Sequence, residues 1–198
     1  MVTSPEIRVM VRHPRRSLAI LKMFPALHSP GNDMVYRLRA ANKSDEAVIW
    51  KATIETVWVD VPEDEKASID RKTFETNFRE YAREFVEGRR GERFVAEDDE
   101  GRFLGYMILG ELKPYFSPSP VGFVYDIWVS PPHRHREVGS FLLAEAERWA
   151  RARGYRKIKL EVANANAAAL ALYRREGFGS ERLYLAKRLA SETSDARS

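Results

Sequence analysis

The sequence predicts an α/β fold in which one mixed sheet packs against helices, and three observations lead to this prediction. Segments with strand-type alternation are interleaved with segments whose apolar residues recur every three or four positions, in the order β-α-α-β-β-β-α-β-α-β. The chain of 198 residues suits one globular domain with short additions at its ends. It contains no cysteine and no apolar run near the ~20 residues of a membrane span, which excludes disulfide scaffolds, thiol chemistry and membrane-spanning proteins.

The N-terminal stretch, residues 1–33, differs in composition from the rest of the chain. It carries five basic and two acidic side chains, four prolines and no sustained period apart from a candidate strand at 6–12. A secretory signal is disfavoured, because Lys22 interrupts the apolar patch at 18–24 and no cleavage site follows it. The predicted divisions are a basic, poorly ordered extension at 1–33, a domain at 34–190 and a polar tail at 191–198.

The first half of the domain is predicted from alternation, helical spacing and turn residues. Segment 35–39 alternates as a strand, and two helices follow it, joined by an acidic loop at 59–69 and ended by Gly88. Strands at 93–97 and 103–110 flank an acidic turn and form a hairpin. The apolar residues that define the two helices are Ala47, Trp50, Ile54 and Val57 in the first, and Phe74, Phe78, Tyr81 and Phe85 in the second.

The second half alternates strands and helices after a proline-bearing loop. Its predicted elements are a loop at 113–122, a strand at 123–129, a helix at 137–153, a strand at 157–162, a helix at 166–176 and a final strand at 182–189. Between Val129 and Glu137 a strand therefore leads through a loop into a helix. Such a turn directs free backbone N–H groups and the positive end of the helix dipole outward, which suits a phosphate.

Two motifs resemble signatures of the GCN5-related N-acetyltransferase (GNAT) superfamily. The motif Asn-x-x-Ala-x-x-Leu-Tyr-x-x-x-Gly-Phe is complete, and the strand end Val129-x-Pro131-x-x-Arg134 is followed by a degenerate form of the family's glycine-rich turn. The members of the complete motif are Asn166, Ala169, Leu172, Tyr173, Gly177 and Phe178. The resemblance covers residues 34–190, and the motifs are most similar to ribosomal-protein N-terminal alanine acetyltransferases.

The resemblance implies a GNAT fold, with a mixed central sheet of about six to seven strands flanked by four helices. It also implies an acyl-CoA-dependent N-acetyltransferase, which transfers an acetyl group from acetyl-CoA to a primary amine by direct attack on the thioester. The acceptor would be a small amine or a peptide N-terminus, and no metal, nucleic acid or membrane would take part. A cytoplasmic location and a homodimer are further expectations.

The resemblance also implies a role for each residue of the two motifs. The backbone of Ile127 and Val129 would bind the pantetheine arm, Asn166 and Ala169 would lie beside it, and Tyr173 would protonate the leaving thiolate. The pyrophosphate would be held by Arg134, His135, Arg136, Glu137, Val138, Gly139 and Ser140. Without the surrounding motif, Tyr173 would be interpreted as a tyrosine at the edge of the core. The complete motif favours its role as the general acid.

The reaction also needs a base, because an ammonium acceptor must lose a proton before its nitrogen can attack. Glu161 matches the base of the alanine acetyltransferases, and Asp126 on the adjacent strand matches the acidic position of other members. Either could instead be a solvated carboxylate or the partner of an arginine. We place Glu161 ahead of Asp126 and keep both as candidates.

Two positions depart from the family pattern, since His135 and Glu137 stand where glycine is usual. A glycine lets the backbone approach a phosphate without a Cβ, and Glu137 adds a negative charge. This departure motivates an alternative, a non-catalytic acyl-CoA-binding or regulatory module. His133 and His135 are spaced like metal ligands, but no supporting ligand is near in sequence, so a surface loop is favoured over a metal site.

The charge pattern bears on the acceptor. The net charge of +4 is distributed unevenly along the chain. The segment 45–100 is acidic, with nine basic and seventeen acidic side chains, and the segment 101–198 is basic, with sixteen basic and ten acidic side chains. A basic half would face the phosphates and an acidic half would attract a cationic acceptor. A solvated acidic face explains the pattern equally well. A nucleic-acid-binding protein is the weakest hypothesis, because 1–33 lacks interleaved aromatic residues.

Overall fold

The computed structural model describes residues 27–28 and 35–189. The strands within these residues are β1 (Leu27–His28), β2 (Val35–Ala40), β3 (Glu92–Glu97), β4 (Phe103–Leu112), β5 (Val121–Val129) and β6 (Ile158–Leu160). The helices are α1 (Glu46–Asp60), α2 (Glu63–Lys66), α3 (Arg71–Val86), α4 (Val138–Ala152) and α5 (Ala167–Arg175). Short 3-10 turns at Lys43–Asp45 and Pro131–His133 precede α1 and α4.

The strands form one mixed sheet in the order β1-β2-β3-β4-β5-β6. Neighbours from β1 to β5 are antiparallel, and β5 and β6 are parallel because α4 crosses between them. The β4–β5 register shifts between Ile108, which pairs with Asp126, and Leu109, which pairs with Val124. Tyr125 is therefore the extra residue of a β-bulge in β5.

Each face of the sheet carries its own hydrophobic core. On one face the strands pack against α4, whose buried residues include Phe141, Leu142 and Trp149. On the other face they pack against α1 and α3 through Ile49, Ala52, Ala82 and Val86. The helical spacing of the sequence located both helices but not their buried faces. Of the apolar residues it named, only Ile54 is buried, whereas Ala47 and Tyr81 are exposed.

The α/β prediction is confirmed, and its counts need correction. Five helices are described against the four predicted, because the acidic loop contains the single turn α2. Five strands have three residues or more, and the total reaches six only with the two-residue β1, against the six to seven predicted.

The predicted final strand at 182–189 is wrong, since this segment has no strand partner within the described residues. Its large side chains face solvent: Leu183 is 76% exposed, Tyr184 88%, Leu185 92% and Leu189 81%. Apolar alternation without a face to cover does not fix a strand, because strand stability comes from packing and pairing. The segment instead makes an ion pair from Arg188 to Asp64 and cation–π contacts from Arg182 to Tyr115 and Phe116. Glu181, just before it, pairs with Lys157 and Lys159.

The candidate strand at 6–12 and the tail at 191–198 lie outside the described residues, so the domain boundaries remain predictions. Of the predicted extension only Leu27 and His28 are described, and they pair with Tyr36 and Val35. None of the helices in the described ranges is long and apolar enough to cross a membrane.

Candidate functional site

The sheet opens between β5 and β6. The two strands pair only at Gly122–Ile158, Phe123–Lys159 and Val124–Leu160, so the last five residues of β5 have no partner strand on this side within the described residues. The free edge includes Ile127 and Val129, the two residues predicted to bind an extended chain through their backbone. An unpaired strand edge offers N–H and C=O groups to a ligand as another strand would.

The turn after β5 has an unusual backbone. His135 and Glu137 have φ values of 60° and 62°, in the left-handed region that glycine adopts without penalty. These are the two positions at which the family pattern has glycine. The sequence analysis marked these positions for the Cβ and the charge they add, and the structure shows that their backbone is also left-handed.

The turn is held in place by contacts from both sides. The buried hydroxyl of Tyr36 in β2 donates a hydrogen bond to the carbonyl oxygen of Arg136. Arg134 folds back, and its Nε donates to the carbonyl oxygen of Val129 at 3.2 Å. The Nδ1 atom of His133 is buried and has no hydrogen-bond partner within the described residues. The turn thus keeps a fixed shape and carries a polar atom whose hydrogen-bonding capacity is unused.

The N-terminus of α4 meets the C-terminus of α5 through polar side chains. Ser140 Oγ donates to Glu176 at 2.7 Å and accepts from Arg175 Nη2 at 2.7 Å. The same Arg175 nitrogen lies 3.7 Å from the Glu137 carboxylate. Glu137 makes no side-chain cap of α4, so the first backbone N–H groups of that helix remain for an anion.

Asn166 begins α5 as its N-cap. Its Oδ1 accepts a hydrogen bond from the backbone N–H of Ala169 at 3.1 Å. This local bond explains why the motif spaces these two residues three apart, since an N-cap side chain reaches the third helical N–H. The Asn166 amide group retains its two N–H donors for a ligand.

Tyr173 lies on α5 with its side chain buried, at 9% exposure. Burial, together with the negative charges of Asp126 and Asp60, raises the pKa of Tyr173 to about 12. Its phenol therefore keeps its proton at neutral pH and can donate it to a stronger base. The ring packs against Phe178, with 5.9 Å between the ring centroids.

Asp126 faces α1 because of the bulge in β5. Strict alternation would place Asp126 on the same face as Val124, which packs in the α4 core. The extra residue Tyr125 reverses the face, and Asp126 Oδ2 accepts hydrogen bonds from Thr53 Oγ1 at 2.6 Å and from the Tyr106 hydroxyl at 2.7 Å. Burial raises the pKa of Asp126, and the two hydroxyl donors together with the backbone N–H of Ile127 oppose this shift.

Glu161 follows β6 directly and is exposed. It forms no ion pair with another residue of the described chain. The structure thus separates the two candidate bases by environment: the Asp126 residue is half-buried with its carboxyl group hydrogen-bonded, and Glu161 is exposed.

Four residues that contribute here were missed by sequence reasoning: Tyr36, Thr53, Asp60 and Tyr106. Thr53 and Tyr106 stand inside apolar periodic segments, where a hydroxyl gives no separate signal. Tyr36 was assigned only to the first strand, and Asp60 only to the acidic loop at 59–69. No signal in a single sequence connects these positions, because their hydrogen bonds span 20 to 100 residues.

The acidic loop is less available than its composition indicates. Glu63 pairs with Lys66 at 2.8 Å, and Asp64 pairs with Arg188 at 2.8 Å. His133 and His135 are spaced like metal ligands, but the described residues contain no group of three or more side chains that could hold a metal ion.

Comparisons with known proteins were made for sequence and structure. The model of the Acetyltransferase (GNAT) family matches residues 50–178. Streptothricin acetyltransferase of Streptomyces lavendulae is 36% identical over 85 residues, which are 43% of each chain. Mycothiol acetyltransferase of Saccharomonospora viridis is 35% identical over 88 residues, 43% of this chain and 29% of the relative. The chain thus spans less than half the length of these curated relatives.

Among solved structures, a Pyrococcus furiosus protein described as an acetyl transferase has a TM-score of 0.65 and 25% identity, over 78% of this chain and 99% of its own. An aminoglycoside N-acetyltransferase in complex with CoA has a TM-score of 0.56 and 20% identity, over 82% of this chain and 100% of its own. The similarity to ribosomal-protein alanine acetyltransferases is supported only at the level of the family.

Proposed function

Because the chain belongs to the Acetyltransferase (GNAT) family, we propose that it transfers the acetyl group of acetyl-CoA to a primary amine. The amine nitrogen attacks the thioester carbon directly, the carbon–sulfur bond breaks, and the sulfur takes a proton from Tyr173. The attacking nitrogen loses its protons to a carboxylate base and then to solvent. The observation that carries this proposal is a buried, protonated tyrosine beside an open strand edge.

Acetyl-CoA fits the gap and the turn by its chemistry. Its extended pantetheine arm matches the free edge of β5 at Ile127 and Val129, with Asn166 and Ala169 on the opposite side. Its pyrophosphate matches the first N–H groups of α4 and the cationic side chains of the turn. The pyrophosphate-binding set proposed is Arg134, His135, Arg136, Glu137, Val138, Gly139 and Ser140, of which Glu137 and Ser140 also contact α5.

For the acceptor we propose a small cationic amine. The carboxylate of Asp60, at the end of α1, acts on Tyr173, so negative charge lies near the place where the acceptor nitrogen must arrive. Two relatives are named for streptothricin and mycothiol, which are small molecules rather than peptide N-termini. A panel of amines of equal size and different charge tests this point, and a preference for neutral or anionic acceptors would contradict it.

The central experiment measures release of the CoA thiol with acetyl-CoA and the amine panel. Tyr173→Phe should lower kcat by about 10² while the Kd of acetyl-CoA changes little, because the lost group acts on the leaving sulfur. Tyr184→Phe is the matched control, since Tyr184 is 88% exposed and far from any assigned role. Equal rates for Tyr173→Phe and the wild type would refute the acid role.

A second candidate is a non-catalytic module that binds acyl-CoA. The observation that favours it is the carboxylate of Glu137 at the start of α4, where an anion would bind. Calorimetric binding of acetyl-CoA without turnover of any amine would support this candidate over the enzyme. A cytoplasmic location and a homodimer stay predictions from the sequence.

A further inference from the structure

Three oxygen atoms form a closed triangle beneath α1. Thr53 Oγ1 lies 2.6 Å from Asp126 Oδ2, the Tyr106 hydroxyl lies 2.7 Å from the same carboxyl oxygen, and the two hydroxyl oxygens lie 2.7 Å from each other. All three separations are those of O–H···O hydrogen bonds. Each residue comes from a different element, namely α1, β4 and β5.

The number of protons decides what this triangle is. Thr53 and Tyr106 bring one hydroxyl proton each, and an ionised carboxylate brings none. Two protons can serve only two of the three contacts, so an ionised Asp126 leaves one pair of oxygens at 2.6–2.7 Å with nothing but lone pairs between them. A proton on Asp126 Oδ2 removes the conflict, because each oxygen then donates once and accepts once.

We propose that Asp126 is protonated in the substrate-free protein and closes a ring of three hydrogen bonds with Thr53 and Tyr106, so that Glu161 is the carboxylate that takes the acceptor's proton. The first half concerns a protonation state and stands alone. The second half rests on the proposed acetyl transfer. In this arrangement Thr53 and Tyr106 are positioning residues, which hold a neutral Asp126 beside Tyr173.

The surroundings of Asp126 favour the neutral form. Tyr106 faces it from β4, Thr53 from α1 and Tyr173 from α5, and Asp60 at the end of α1 places a negative charge near Tyr173. No cationic side chain acts on Asp126 among the described residues, and its burial raises its pKa. Glu161, by contrast, is exposed to water.

Infrared difference spectroscopy of the ligand-free protein tests the first half. At pH 7 the wild type should have the carbonyl stretch of a protonated carboxyl group, sensitive to D2O, which Asp126→Asn removes and Glu161→Gln does not. Thr53→Val should shift this band by opening the ring, and Thr53→Ser should restore it. A spectrum in which Asp126→Asn removes only a carboxylate band would overturn the proposal.

Thermal unfolding provides an independent readout. The side-chain amide introduced by Asp126→Asn is neutral, as a protonated carboxyl group is, and its nitrogen in the place of Oδ2 can donate one proton to each hydroxyl oxygen. The unfolding midpoint of this variant at pH 7 should therefore stay close to that of the wild type, whereas Asp126→Ala should lower the midpoint. A large loss for Asp126→Asn, equal to that for Asp126→Ala, would contradict a neutral Asp126.

The pH profile of kcat/KM tests the second half. Glu161→Gln should lower kcat by about 10² and remove the acid limb of the profile, whereas Asp126→Asn should keep that limb. Loss of the limb in Asp126→Asn alone would make Asp126 the base and refute this half. If the infrared band is present but no amine is acetylated, the proposed function fails and the ring stands.

Discussion

Replacement of Glu137 tests how the turn before α4 meets an anion. Glu137 combines two unfavourable features, a left-handed backbone with φ 62° and a carboxylate at the start of a helix where a pyrophosphate is proposed to bind. Glu137→Gln removes the charge and keeps the Cβ. Glu137→Gly removes both, so the pair separates electrostatics from backbone strain.

The backbone effect can be estimated from conformational preferences. A residue with a Cβ in the left-handed region costs about 1–2 kcal/mol, and glycine loses about 0.5–1 kcal/mol through the greater freedom of its unfolded chain. Glu137→Gly should therefore be more stable than Glu137→Gln by about 0.5–1 kcal/mol. Both variants lose the contact with Arg175, which is worth little because both side chains are more than half exposed.

The charge effect concerns ligand affinity. Two like charges about 6 Å apart in water repel by about 0.7 kcal/mol, which corresponds to roughly a threefold change in Kd. Both variants should bind acetyl-CoA at least threefold more tightly than the wild type, and the gain should shrink as salt is added. Arg175, once released from Glu137, adds to this gain by turning towards the phosphates.

Two measurements check these expectations. Isothermal titration calorimetry with acetyl-CoA at low and high salt gives the change in Kd, and denaturant unfolding gives the stability difference between the two variants. If Glu137→Gln leaves the Kd unchanged at low salt, the carboxylate does not face the ligand. If Glu137→Gly is less stable than Glu137→Gln, the left-handed turn is not strained and the reasoning is refuted.

Three further predictions follow from single contacts. Tyr36→Phe removes the hydrogen bond to the Arg136 carbonyl oxygen and should weaken acetyl-CoA binding by several-fold with about 1 kcal/mol lost in unfolding; calorimetry and denaturant unfolding measure both. Asn166→Ala removes the N-cap of α5 and should cost about 1 kcal/mol, whereas Asn166→Asp, which keeps the capping oxygen, should cost less. Because the pKa of Tyr173 is raised to about 12, kcat should fall on the alkaline side only above the ordinary tyrosine pKa of about 10. If this alkaline fall is absent from the pH profile of Tyr173→Phe, Tyr173 is its source.

The strands and helices that cover a core were predictable from the sequence. Helix α3 was found because Phe74, Phe78 and Phe85 recur at helical spacing, and residues 93–97 and 103–110 were found because turn residues separate two alternating runs. The last predicted strand failed for a physical reason, since Leu183 and Leu185 alternate correctly but have no surface to cover. Periodicity indicates which side chains share a face of an element, but it does not indicate whether another element packs against that face.

The candidate site was predictable where it depends on local spacing. The spacing from Asn166 to Ala169 is that of an N-cap, and the departures from glycine marked 135 and 137 as unusual positions, although their left-handed backbone was not predicted. The Thr53–Tyr106–Asp126 ring was not predictable, because it depends on a bulge and on contacts across 20 to 73 residues. Neither propensity nor composition encodes such a register shift in one sequence.

The bulge at Tyr125 divides β5 into two segments of opposite phase. Residues 121–124 follow one alternation and residues 126–129 the other, so a residue-by-residue alignment of this strand with a bulge-free relative compares side chains on opposite faces. A one-residue gap at Tyr125 restores the correspondence on both sides. Deletion of Tyr125 should likewise leave Val124 paired with Leu109 and Asp126 with Ile108, at the loss of the packing between Tyr125 and Phe85. The chain can therefore gain or lose one residue here without exchanging the faces of the residues on either side.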